Sequence, residues 1–260
     1  MINTVITDGV TMDYMVLGRG AIPLVILPGV SLQSVLLSAP VLEGLFAPFT
    51  EKHTVYLFDR RREMPEEYDV AAMAEDTARA MEALGLSGAH VYGASQGGMI
   101  AQVLAARYPA LVSRLAVSST ICRQNDLSRR VFGEWVRLSG EGKHEELNRL
   151  MFSQIYSPEY LQKNQEAFDF LARQGTEEEF RRLDIMCRAC RTFDAWDEVG
   201  NIRCPVWATG SRRDNVLGWE GTREIAEKTG GQYFLYEGYS HAAYDEAPDF
   251  LPRLQAFFDQ

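Results

Sequence analysis

The sequence predicts an α/β domain, a mostly parallel sheet with helices on both faces and a helical segment inserted late in the chain. Three observations carry this. Short apolar runs alternate with stretches of helical period at both ends of the chain, the mark of parallel strands joined by covering helices. Strand patterning vanishes between Ile121 and Gly200, where amphipathic segments rich in Arg and Glu follow one another. One strand also passes into one helix through a very tight turn of small residues, Gly93 to Gly97. The predicted organisation is a core of residues 1–120 and 201–260 and a helical insertion, 121–200. The 260 residues suit one such domain and not two independent ones.

The elements follow in order. TVITDGVTMDYMVLG alternates apolar and polar residues about Asp8-Gly9, as an antiparallel hairpin with one solvated face should. PLVILPG is a continuous apolar strand that ends in a Pro-Gly turn, and HTVYLFD is a second buried strand. VAAMAEDTARAMEALGL has helical period and stops at Gly85. AHVYG is a strand, SQGGMIAQVLAARYP a helix that closes before Pro109, and LVSRLAVSST another strand. The insertion reads as RRVFGEWVRL, HEELNRLMFSQI, PEYLQKNQEAFDFLARQ and EEEFRRLDIMCRACRTF. CPVWATG and GQYFLYEG restore the strand pattern on either side of the helix WEGTREIAEKTG, and DFLPRLQAFF closes the chain as a helix. No internal repeat or low-complexity stretch occurs, which excludes a solenoid or array.

Composition excludes several classes. Hydrophobic residues make up 46% and charged residues 24%, so the chain can bury a core and is neither disordered nor membrane-embedded. A net charge of -10 offers no dominant basic face, and nucleic acid is not an expected partner. MINTVITDGV lacks the features of a secretory signal, and the longest apolar run, Ile22 to Val30, is too short for a bilayer, so a cytoplasmic protein without membrane partners is expected. Cys187 and Cys190 form a C-x-x-C pair within a charged amphipathic segment, with no second pair or His partner, and read as small apolar side chains on a helix instead of a metal or redox site.

The residues that suggest chemistry begin with Gly93-Ala94-Ser95-Gln96-Gly97, a G-x-S-x-G between a strand and a helix. A serine on such a turn needs a strained backbone, and small residues two positions either side let strand and helix approach. Neither G-x-G-x-x-G nor a P-loop can be read in these glycines, so nucleotide binding drops out. A serine hydroxyl becomes nucleophilic when a base takes its proton during attack. Of the four histidines, His53 and His90 precede apolar strands and His144 lies among charges in the insertion, which leaves His241, in the loop after the last strand. The base needs an acid to hold its tautomer. Asp214 follows the strand PVWATG in a polar loop, and Ser95, Asp214, His241 is the chain order of one of the known triads. Asp245 and Glu246 are assigned to the start of the final helix, and Asp59, at a strand end, to a structural role. Backbone N–H groups of Gln96 and Val30, with Ser31 as understudy to Val30, are the expected donors to a developing oxyanion. The run Arg60-Arg61-Arg62 reads as a solvated loop or, less often, as an anion attractor. The aromatic residues Phe132, Trp135, Phe152, Tyr156, Phe168 and Phe170 fit an apolar pocket or an ordinary helical core equally well.

With those residues in place, the segments DGVTMDYMVLGRG, LVILPG, VYLFDRR, VYGASQGGMIAQVLAARYP, CPVWATGSRRDN and YSHAAYDEAPDFLPRLQAFF resemble, in order, the α/β-hydrolase superfamily over nearly the whole chain. The resemblance implies an eight-stranded sheet with a helical cap after the sixth strand, and hydrolysis through an acyl-enzyme without metal or organic cofactor. Two positions depart from the family pattern: Pro28-Gly29 stands where His-Gly is common, and Arg60-Arg61-Arg62-Glu63 where a glycine-rich loop is common. Ser95 at the elbow, instead of Asp, turns the expectation away from dehalogenase or epoxide-hydrolase chemistry. The resulting expectation is a monomeric or homodimeric serine hydrolase of a carboxylic ester or lactone of small to medium size. The same triad could serve carbon-carbon bond hydrolysis or acyl transfer, and a ligand-binding receptor on this scaffold is the third class.

Overall fold

A computed structural model describes residues 2–260. Its centre is one eight-stranded sheet in the order β1-β2-β4-β3-β5-β6-β7-β8. The first two strands, β1 (Ile2–Thr7) and β2 (Val10–Leu17), form the predicted hairpin. Asp8 and Gly9 both have positive φ, 47° and 81°, the two-residue turn whose twist matches the flanking strands. β2 runs antiparallel to β4 (His53–Arg61), and from β4 through β3 (Ile22–Leu27), β5 (Ala89–Ala94), β6 (Val112–Ser118), β7 (Val206–Ser211) and β8 (Gln232–Tyr236) all pairing is parallel. Every residue of β5 and β7 is buried, as central parallel strands covered on both faces should be.

Helices cover both faces. α1 (Ala39–Phe46) and the chain-terminal helix share an apolar layer in which Phe46, Phe250, Leu254 and Phe257 meet Leu24 and Trp207 of the sheet. α2 (Val70–Ala83) and α3 (Gln96–Arg107) pack on the opposite face, in the layer that holds Met73, Met81, Ile100 and Leu104. Between β6 and β7 the described residues form six helices: α4 (Asp126–Gly140), α5 (His144–Ile155), α6 (Pro158–Lys163), α7 (Gln165–Leu171), α8 (Glu177–Arg191) and α9 (Trp196–Val199). α4 and α8 each begin with a reciprocal capping box, Asn125 with Ser128 and Thr176 with Glu179, which fixes their starts. The chain then runs through α10 (Glu220–Thr229), α11 (Ala243–Glu246) and α12 (Phe250–Phe258).

Three sequence expectations change. PEYLQKNQEAFDFLARQ splits into α6 and α7 at Asn164, the residue that closes one helix and opens the next. Asp245 and Glu246 close the short α11 instead of opening the final helix, because Pro248 follows and holds Ala247 in extended backbone. Arg60 and Arg61 belong to β4, whose pairing with β2 extends to Arg61, and do not form a loop.

Strand register positions the site. Leu27 pairs with Gly93, Gly93 with Val117, and Ala94 and Ser118 continue to Thr209. The loops after β3, β5, β6, β7 and β8 therefore leave the same edge of the sheet, the carboxyl edge where ligands of open α/β sheets are bound.

Candidate active site

Ser95 stands between β5 and α3 with φ 53° and ψ -120°. A non-glycine residue there stores about 1–3 kcal/mol, held by the packing around it. The neighbouring glycines permit that packing. A methyl at Gly93 would lie 2.3 Å from the Gly97 carbonyl oxygen, one at Gly97 1.9 Å from that of Leu27, and one at Gly98 2.8 Å from the Thr120 side chain. Gly29 completes the enclosure, since a Cβ there would stand 3.1 Å from Ser95 Cβ and 3.7 Å from its Oγ.

The loop after β7 brings Asp214 to the loop after β8. His241 Nδ1 and Asp214 Oδ2 are 2.8 Å apart, and both side chains are buried, 2% and 0% exposed. Asp214 Oδ1 accepts the N–H groups of Val216 and Leu217 at 2.8 and 2.9 Å. Burial is the largest single influence on this carboxyl and opposes ionisation, yet the charge and hydrogen bond of His241 and the two amides outweigh it and hold the acid below the ordinary carboxylate range. An ionised carboxylate only accepts, so Nδ1 carries a proton, and in the neutral imidazole Nε2 has its lone pair for a second partner.

The end of β6 joins this pair to Ser95. Ser95 N–H donates to the Ser118 carbonyl at 2.9 Å, and one residue further on the Ser119 hydroxyl donates to the His241 carbonyl at 2.6 Å. Ser119 has a positive φ of 44°, a second strained residue beside the first. Thr120 Oγ1 donates to the Ser95 carbonyl at 2.8 Å, and Ser118 Oγ pairs with the buried Tyr92 hydroxyl at 2.8 Å. Ser118, Ser119 and Thr120 were not among the residues that the sequence singled out. Three consecutive hydroxyl residues at a strand end beside the elbow were the available signal.

Of the two expected oxyanion donors, Gln96 N–H is the first of α3 and has no intrahelical acceptor, and Val30 N–H makes no turn or loop bond to a backbone acceptor among the described residues. The Gln96 side chain, which sequence gave no reason to single out, is fully buried. It accepts from Arg60 Nη2 at 3.3 Å and donates to the Met186 carbonyl at 2.9 Å and to Cys190 Sγ at 3.2 Å, tying the elbow to α8. Cys187 and Cys190 pack inside α8, and burial pushes the Cys190 thiol up to about 12, which keeps it protonated and inert. Arg60, expected in a solvated run, is only 6% exposed. Asp59 Oδ1 accepts the Arg60 N–H at 2.7 Å, in keeping with a structural role. Among the aromatic residues of the insertion, Phe132 and Trp135 are core, Phe152, Tyr156 and Phe168 form a half-buried cluster, and Phe170 is exposed.

Comparison with known proteins agrees with this architecture. The family model described as the alpha/beta hydrolase fold matches residues 22–155. The chain belongs to that family, and it is a hydrolase. Among relatives, the putative carbamate hydrolase RutD of Caulobacter sp. (strain K31) is 28% identical over 207 residues, 73% of this chain and 72% of that protein. The protein of the same name from Pseudomonas savastanoi pv. phaseolicola is 23% identical over 229 residues, 82% of this chain and 85% of that one. Among solved structures, the enol-lactonase from Burkholderia xenovorans LB400 shares the fold with TM-score 0.87 at 18% identity, over 99% of this chain and 100% of that one. An esterase from Exiguobacterium antarcticum does so with TM-score 0.80 at 18% identity, over 98% of each chain. No described helix is long and apolar enough to cross a membrane.

Proposed function

We propose that this hydrolase is a serine enzyme that cleaves a carboxylic ester or lactone of small to medium size through an acyl-enzyme. The observation that carries the reading is the buried Asp214–His241 pair, joined through the Ser118–Ser119 peptide to a serine in strained backbone. Ser95 Oγ attacks the carbonyl carbon while His241 Nε2 takes its proton, and Asp214 stabilises the imidazolium without becoming protonated. The N–H groups of Val30 and Gln96 receive the oxyanion, and losing one such donor costs about two to three orders of magnitude in rate. Collapse expels the alcohol, which takes the proton from His241, and water repeats the sequence in reverse to release the acid. Helices α4 to α8 act as the cap that closes over a small-molecule substrate.

The relatives named as putative carbamate hydrolases favour a second reading in which the same residues attack a carbamate carbonyl and expel an amine. One experiment addresses both. The purified protein is expected to be labelled by a fluorophosphonate and to cleave short-chain aryl esters, with an aryl carbamate included in the panel, and Ser95→Ala should abolish labelling and turnover together. Labelling that persists in Ser95→Ala overturns the assignment, and turnover of the carbamate alone selects the second reading.

A further inference from the structure

Beside the oxyanion turn lies a cleft whose core wall is formed by Gly29, Ser31, Asp59 and Arg60 and whose cap wall is formed by Arg182 and Met186 of α8. Arg60 is buried there, yet both of its guanidinium hydrogen bonds leave from Nη2, to the Pro28 carbonyl at 2.6 Å and to Gln96 Oε1 at 3.3 Å. Neither acceptor is charged, and Nε has no hydrogen-bond partner among the described residues. Burial accordingly weakens the hold of Arg60 on its proton. The second guanidinium, that of Arg182, is half-buried. Its hydrogen bonds go to the carbonyls of Arg61 and Arg62, whereas Arg181 and Arg188 on the same helix pair with Glu66 and with acidic residues of their own helix. The cleft thus holds two guanidinium groups against one carboxylate, Asp59, a local charge of +1 in a chain whose net charge is -10. A buried cation without a counter-ion is costly, and a guanidinium fork matches a carboxylate in shape and charge.

We propose that this cleft is a subsite for a carboxylate carried by the substrate, with Arg60 and Arg182 as its specificity-determining residues. The proposal rests on the serine-hydrolase reading and narrows it to acid-bearing esters or lactones. Gly29 makes the connection to chemistry, since it lines the cleft and packs directly on Ser95. An acid group seated against the two arginines would bring the carbonyl a short chain away to the nucleophile.

The test compares two activated esters of equal length, 4-nitrophenyl hydrogen glutarate and its methyl-capped neutral counterpart. The wild-type protein is expected to favour the acid-ended ester by about tenfold or more in kcat/KM, the discrimination that charge-assisted hydrogen bonds supply. Arg182→Gln should bring that ratio down about tenfold and Arg182→Lys should restore part of it. Equal cleavage of the two esters, or a ratio that Arg182→Gln leaves unchanged, overturns the proposal. Calorimetric titration of the Ser95→Ala protein with monomethyl glutarate and with dimethyl glutarate separates the subsite from the chemistry. Binding of the monoacid alone, lost in the Arg182→Gln background, supports the subsite even where neither ester is cleaved. Absence of binding in that case overturns it.

Discussion

Asp214 performs two tasks with two oxygens, one turned to backbone amides and one to His241. Replacing it by Asn keeps the shape but presents an N–H toward Nδ1, which drives the imidazole proton to Nε2 and, on the proposed mechanism, removes the lone pair that would take the Ser95 proton. Asp214→Asn is therefore expected to lower kcat by about three to four orders of magnitude with the fold intact. Steady-state kinetics beside a circular dichroism melt checks this, and a loss below tenfold would remove Asp214 from its role. At this scale Ser95 was legible because a local motif records it, and Asp214 and His241 because each follows a strand that periodicity reveals. Ser119 and the Gln96 side chain were not, since their partners, the His241 carbonyl and the helix α8, lie 122 and about 90 residues away and no local pattern encodes such bonds.

The element on which most depends is the strand-to-helix joint at β5 and α3. Gly97 lies against the carbonyls of Leu27 and Pro28, and both are backbone atoms that cannot swing aside. Gly97→Ala should destabilise the protein by about 3 kcal/mol or more, read as a drop in urea midpoint, since overpacking here must push β3 away from α3. A midpoint equal to wild type would show that the joint is looser than its geometry. Strands and the longer helices were legible from periodicity alone. The divisions within the insertion were not, because α6 and α7 keep the same apolar spacing across Asn164 and a helix-breaking residue is absent there. Arg60 and Arg61 were misplaced for the opposite reason, since three consecutive arginines look like a solvated loop until β2 is found paired with the end of β4.

Across the whole molecule, the base of the sheet carries a feature that chemistry at the top does not use. His53 Nε2 and His90 Nδ1 are 3.0 Å apart under Phe258, whose ring stacks on His90 at 4.9 Å. Burial, and for His90 next the neighbouring His53, pushes both imidazoles down from 6.5, His90 to about 4. Between these values the unfolded chain binds protons that the folded chain refuses, so stability falls as pH drops from about 6.5 toward about 4 and levels off below. For His90 the span corresponds to an upper limit of about 3–4 kcal/mol. Urea titrations at pH 7.5, 6 and 4.5 should show this slope in wild type and a flatter one in His90→Gln. Equal slopes would assign the acid sensitivity to other groups.

The joint between the inserted helices and the His241 loop has a mechanical consequence. Ala242 N–H donates to the Ile155 carbonyl at 2.9 Å, and Glu246 grips both the amide and the hydroxyl of Ser157 at 2.9 and 2.5 Å. The junction of α5 and α6 is thereby buckled to the segment that carries the imidazole. On the proposed reading, in which these helices are the cap and His241 is the base, a tilt of α5 and α6 wide enough to admit a molecule would have to undo this buckle or drag the imidazole with it.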